Sequence, residues 1–248
     1  MTTQNFKDHF SGHAAAYASA RPTYPDALFE FLASSCRARD CAWDCATGNG
    51  QAALQLARHF TKVIATDASE QQVLASTPHE RISYRVAAAE SSGLADASVD
   101  LVTVAQALHW FDVDQFFVEA ARVLTSGGVL AVWGYGLCQV TPAVDRIVLD
   151  LYDELDPYWP AERSIVDSGY SDISLPFAAL DCPVFSMHVD WDAAAMLAYL
   201  ETWSATQRCR ADTGREPAKA IAAALRAAWG QGSRAVHWPL FLKASRQN

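Results

Sequence analysis

The sequence predicts an α/β fold: a doubly wound sheet of about seven strands, mostly parallel with an antiparallel strand near the C-terminus, helices on both faces and an N-terminal helical lid. Three observations carry this expectation. Residues 43–53 read as the end of a buried strand, a tight glycine turn and the first turn of a helix. The next apolar run, 63–66, closes on an acid, Asp67. The β-branched run 99–104 has the pattern of a strand buried on both faces.

The elements follow in order. Residues 1–38 form an arm or lid with scattered aromatics. Within it, 14–18 suit a short helix, and the two prolines of Arg21-Pro22-Thr23-Tyr24-Pro25 hold the chain extended. Asp26 is expected to cap a helix over 27–35 whose inner face carries Leu28, Phe31 and Leu32. Strand 41–45 leads through the glycine turn into a helix over 51–60. A strand over 63–66, a helix over 69–76 and a strand over 82–87 follow, then a loop over 88–96. After the strand 99–104, a helix over 114–124 and a glycine turn at 126–128 precede a strand over 129–133. Residues 39–136 thus make the cofactor-binding core of a single domain spanning 1–248. In the C-terminal half, 137–248, helices are expected over 142–154, 193–204 and 217–229, and strands over 184–189 and 235–242. The proline-punctuated stretch 156–181 reads as an irregular insertion on the substrate side. Pro239 points to an edge or a bulge in the last strand.

Composition narrows the partners. With 19 Lys+Arg against 28 Asp+Glu, the net charge of −9 disfavours a nucleic-acid backbone. No apolar run approaches the roughly 20 residues of a membrane helix, and no signal peptide is legible, so a cytoplasmic protein without a membrane partner is expected. The six cysteines form no CxxC pair, so no metal site is expected, and Cys41 and Cys45 read as small buried hydrophobes in a reducing compartment.

In parallel sheets the ligand sits beyond the carboxyl ends of the strands, so the residues there carry the function. The run Gly48-Asn49-Gly50-Gln51-Ala52-Ala53 satisfies G-x-G-x-x-A, a Rossmann-like turn that permits a dinucleotide. Asp44, just before the turn, argues against one, because a pyrophosphate beside it meets like charge. S-adenosyl-L-methionine carries a cationic sulfonium and an ammonium and no phosphate, so an acid there becomes an asset. Asp67 suits a ribose, or a helix N-cap at Ser69. The alternatives are a dinucleotide-dependent oxidoreductase and a methyltransferase-like binding protein without turnover.

Asp44 through Gln51, Val63 through Ser69 and Ser98 through Phe111 together resemble the class I S-adenosylmethionine-dependent methyltransferases, and in particular the branch that includes the trans-aconitate methyltransferases. The resemblance covers about residues 5–135, and more thinly the tail. It implies that Asp44, Ala46 and Gly48 line the methionine part of the cofactor and that Asp67 holds the ribose. Ala68 and Gln72 would lie beside the adenine, Ala89 and Glu90 would flank it, and Gln106 would lie under the cofactor near the sulfonium. Tyr17 and Arg21, from the family's arm motif, would approach from the lid, with Arg21 a partner for the cofactor carboxylate. Two positions depart from the family: Ala46 stands where glycine is usual, and Ala88 where many members place an acid.

The acceptor pocket is expected from the arm, the loop after the fourth strand (His109 and Trp110), residues 133–135 with Tyr135, and the insertion with Tyr158, Trp159, Arg163 and Trp203. Aromatics and an Arg suit a small, partly apolar acid, and the resemblance implies a small-molecule acceptor methylated on a carboxylate or hydroxyl. His109 is the candidate general base, or else a packed pocket wall. The chain is expected to act as a monomer or homodimer.

Overall fold

The computed structural model describes residues 22–248. The arm residues Tyr17 and Arg21, and the helix expected over 14–18, lie outside the described residues. The chain runs α1 (Asp26–Ser35), β1 (Cys41–Cys45), α2 (Gln51–Leu56), β2 (Lys62–Asp67), α3 (Glu70–Leu74), β3 (Ile82–Val86) and β4 (Val99–Ala105). It continues through α4 (Val113–Val123), β5 (Leu124–Tyr135), α5 (Pro142–Glu154), α6 (Arg163–Asp167), β6 (Ala178–Ala179) and β7 (Phe185–Trp191). The last elements are α7 (Ala193–Glu201), α8 (Ser204–Thr213), α9 (Pro217–Ala220), α10 (Ala222–Trp229) and β8 (Arg234–Arg246).

These strands form one eight-stranded sheet in the order β3-β2-β1-β4-β5-β8, with β6 and β7 both paired to β8. The first five are parallel, and β8 runs antiparallel to β5. The expected mostly parallel sheet with an antiparallel C-terminal strand is therefore the observed fold. Period-two alternation divides the strand side chains between two cores. Ala42, Leu101, Val129, Ala131 and Trp133 face one, with α1, α2 and the C-terminal helices. Trp43, Cys45, Val102, Val104, Leu130 and Val132 face the other, with α4 and α6. Among the described residues no helix is long and apolar enough to cross a membrane.

Several boundaries differ from expectation. Asp26 does not cap α1: Pro25 occupies the cap position, and Asp26 sits in the first turn, paired at 2.9 Å with Arg58. The residues expected to turn at 126–128 instead belong to β5, which starts directly after α4. Gly127 N–H donates to the Gln247 carbonyl and Gln247 N–H to that of Gly128, so this stretch is a bulged part of β5, with Gly127 at φ 79°, paired to the C-terminal end of the chain. The helix α8 was not legible within 204–213, where charged and polar residues obscure any apolar stripe. The alanine-rich helix breaks at Ile221 into α9 and α10. Pro239 falls between the Leu240–Tyr135 pair and the His237–Gln139 bridge, so its missing N–H faces a gap in the pairing.

Candidate active site

The strand order reverses between β1 and β4, and the residues at their carboxyl ends converge there. Asp44 is fully buried. The β1–β4 register sets it opposite Thr103, whose hydroxyl donates to Oδ1 at 2.7 Å. The Thr47 hydroxyl donates to Oδ2 at 2.5 Å. Among the described residues no cationic side chain figures among the groups acting on the carboxyl. Burial pushes its pKa up to about 6, against the pull of the two threonine hydroxyls, and Asp67 adds like-charge repulsion. Asp44 is thus a desolvated acid held in place by neutral donors.

The turn that follows is built from left-handed residues: Ala46 at φ 53°, Gly48 at 57° and Gly50 at 89°. Glycine is required at position 50, because a Cβ there would lie 2.9 Å from the Tyr84 ring. Among the described residues a Cβ at Gly48 would meet nothing nearer than Gln72 Oε1 at 4.0 Å. Asp67 ties the turn down, accepting the Gly48 N–H at 2.9 Å on Oδ2 and the Ser69 N–H at 2.8 Å on Oδ1. The α3 cap itself is Ser69, whose hydroxyl accepts from Gln72 N–H, so Asp67 braces the turn rather than capping the helix. Beside it Ala68 is exposed and Gln72 half-buried.

The loop after β3 carries Ala89, buried against the second core, and Glu90, whose carboxylate accepts the Asp112 N–H at 2.9 Å. Glu90 therefore also latches this loop to the start of α4. Gln106, expected to lie under the cofactor, has its side-chain amide engaged with β5. Its Nε2 donates to the Tyr135 carbonyl at 3.0 Å, and its Oε1 accepts the Tyr135 N–H at 2.9 Å. The residue sits at φ 55°, a strained backbone conformation just past the end of β4.

His109 and Trp110 occupy a short 3₁₀ turn, Leu108–Trp110, just past β4, with ring centroids 4.6 Å apart. His109 Nδ1 lies 3.0 Å from the Tyr170 hydroxyl. Burial, aided by the Arg163 charge, lowers the His109 pKa to about 4, so the ring is neutral at pH 7. Tyr135 is buried at the end of β5, edge-on to Tyr24 of the arm. Pro22, also from the arm, accepts a bond from Gln51 at the start of α2. Trp203, expected in the acceptor pocket, is buried among aromatic residues of the C-terminal helices. It packs there against Tyr152, Trp159 and Tyr199 with centroids 5.6–6.1 Å away. Arg163 lies over the Tyr152 and Trp159 rings of the same cluster, 5.3 and 5.0 Å from their centroids.

Sequence reasoning missed Thr47, Thr103 and Tyr170. Thr103 is a hydroxyl inside an apolar run, a legible signal once Asp44 is placed opposite it. Tyr170 lies 61 residues from His109, and only the tertiary fold joins them. All six cysteines are free thiols, and among the described residues no group of three or more His, Cys, Asp or Glu side chains is arranged to hold a metal.

Comparison with known proteins gives this geometry its context. Residues 43–132 match the methyltransferase domain model. Over 208 residues the chain is 36% identical to a protein of Dictyostelium discoideum assigned as a methyltransferase, covering 82% of this chain and 79% of that one. The chain belongs to the methyltransferase family. A solved structure from Anaeromyxobacter dehalogenans, assigned as a type II methyltransferase, superposes with a TM-score of 0.86. That structure is 45% identical in sequence, and the match covers 91% of this chain and 97% of that one. Methyltransferase cfoB of Aspergillus candidus is 33% identical over 211 residues, 72% of this chain and 66% of its own length. For this methyltransferase the strand-end acids and the glycine turn fall within the matched domain.

Proposed function

We propose that this methyltransferase uses S-adenosyl-L-methionine to methylate a small-molecule acceptor, on a carboxylate or hydroxyl oxygen, and that it stands near the trans-aconitate methyltransferase-like branch. The observation that carries the cofactor reading is Asp44, a fully buried carboxyl at the mouth of a glycine turn on which, among the described residues, no cationic side chain acts. A buried carboxylate without a counter-charge favours a ligand that brings one. The open side of Gly48 supplies the room. The residues present therefore fit the cofactor and oppose a pyrophosphate.

When bound, the cofactor supplies an electrophilic methyl group for in-line displacement, so alignment and exclusion of water supply much of the acceleration. Asp44, Ala46 and Gly48 would hold the methionine end. Asp67, whose carboxylate already braces the Gly48 and Ser69 amides, would take the ribose. Ala68 and Gln72 would border the adenine on one side, and Ala89 and Glu90 on the other. Gln106 would meet the cofactor through its backbone, while Tyr17 and Arg21 would close from the arm. His109, Trp110 and Tyr135 would form the wall facing the acceptor.

Calorimetry with S-adenosylhomocysteine and with NAD tests the cofactor. Micromolar binding of the homocysteine product alone is expected, and tight NAD binding without it would overturn the reading. A screen of small acids, phenols and amines for labelled methyl uptake then tests the acceptor. Uptake by acids or phenols is expected. Product binding without uptake by any acceptor would mean a binding protein without turnover.

A further inference from the structure

The hydrogen bond between His109 and Tyr170 fixes more than a packing contact. Tyr170 is completely buried, so its hydroxyl proton needs an acceptor inside the protein. Among the described residues the acceptor within reach of the hydroxyl proton is Nδ1 of His109, 3.0 Å away. If Nδ1 carried a proton instead, the phenol proton would be left buried without a partner, at a cost of about 1–3 kcal/mol.

We propose that Tyr170 is a positioning residue that locks His109 in its Nε2–H tautomer, so that the ring presents a hydrogen-bond donor, not a base, to the acceptor pocket. The fold reinforces the lock. Tyr170 sits at φ 57°, a strained conformation for a bulky residue. It is held there by Lys243, whose ammonium donates to the carbonyls of Tyr170 at 2.5 Å and Ile173 at 2.7 Å. Phe241 packs edge-on against its ring at 5.0 Å. The helix α6 packs on the 3₁₀ turn from the other side, and there Arg163 disfavours a second proton on the ring while Glu162 opposes it more weakly. Burial keeps the phenol protonated, as the lock requires.

The consequence bears on substrate class and rests on the methyltransferase reading above. A neutral Nε2–H recognises an oxygen lone pair, as on a carboxylate or carbonyl, and cannot remove a proton from an alcohol. An acceptor that is already anionic at neutral pH suits this wall.

The test is ¹⁵N NMR of the ligand-free protein, with the His109 signals assigned by their loss in His109→Gln. Nε2 is expected to be protonated and Nδ1 unprotonated, unchanged over about pH 5 to 8, the range in which an ordinary histidine titrates. In Tyr170→Phe the two nitrogen shifts should move toward a tautomer average. A wild-type Nδ1–H pattern, averaged shifts, titration within that range, or an unchanged pattern in Tyr170→Phe would each overturn the proposal. If Tyr170→Phe does not fold, the wild-type spectrum decides. These readouts are independent of the cofactor: failure to bind S-adenosylhomocysteine would refute the methyltransferase reading and leave the tautomer standing.

Discussion

Thr103 stands directly across the β1–β4 pair from Asp44 and donates its hydroxyl to the buried carboxyl at 2.7 Å. Thr103→Val keeps the shape and removes the donor. The loss of a bond to a buried carboxylate costs about 1–3 kcal/mol, and the carboxyl pKa should rise further. At pH 7 part of the population then becomes neutral. Affinity for S-adenosylhomocysteine should fall about tenfold, or about 1.4 kcal/mol, by calorimetry. Unchanged affinity would mean that the ligand does not sense the charge of Asp44.

Asp44 and His109 should pull the pH dependence of stability in opposite directions. The Asp44 pKa is raised from 3.8 to about 6, so its contribution is fully present below pH 3.8 and is lost as pH rises through about 6. The His109 pKa is lowered from 6.5 to about 4, so its contribution is present above pH 6.5 and is lost as pH falls through about 4. Each shift is on the order of 2–3 kcal/mol. Denaturant unfolding of Asp44→Asn should show greater stability than wild type at pH 7, with the difference closing toward pH 4. His109→Gln should flatten the acid-side loss. Parallel profiles for all three proteins would refute both assignments.

Asp67→Ala removes the acceptor of two backbone amides as well as the proposed ribose contact. Affinity for S-adenosylhomocysteine should weaken by about 2 kcal/mol, roughly thirtyfold. Stability should drop as well, by about 1–2 kcal/mol, because the Gly48 and Ser69 N–H groups lose their partner. A drop in affinity with an unchanged Tm would show that the bracing bonds contribute nothing.

Ala46 adopts φ 53°, where its methyl group crowds the following carbonyl. Ala46→Gly should relieve about 1 kcal/mol of this strain and raise Tm by roughly 2–4 °C. A fall in Tm would mean that the methyl group packs usefully in the turn. Cofactor affinity should be retained, since Gly48 and its open side are untouched.

The sheet was legible in the sequence because its strands are buried on both faces. In β1, β2 and β4 unbroken apolar runs leave little freedom, and Asp44 and Asp67 mark the strand ends. The glycines at 48 and 50 were legible for a comparable reason, since both take backbone conformations that other residues resist. The segment at 126–128 misled because a glycine pair carries the same signal in a turn and in an extended bulge. Its pairing with Gln247 depends on where β8 ends, more than a hundred residues away.

The sequence by itself determined the parallel α/β architecture, the glycine turn and the two acids at the ends of β1 and β2, because these follow from local burial patterns and backbone sterics. Only the tertiary structure decided how those groups are held. It set Thr103 against Asp44, turned the Gln106 amide onto Tyr135 and brought Tyr170 to His109. These pairings depend on strand register and on the docking of α6, and neither leaves a trace in local periodicity. The charge and tautomer of a site residue are set by the neighbours that burial gives it, and the fold supplies those neighbours from distant parts of the chain.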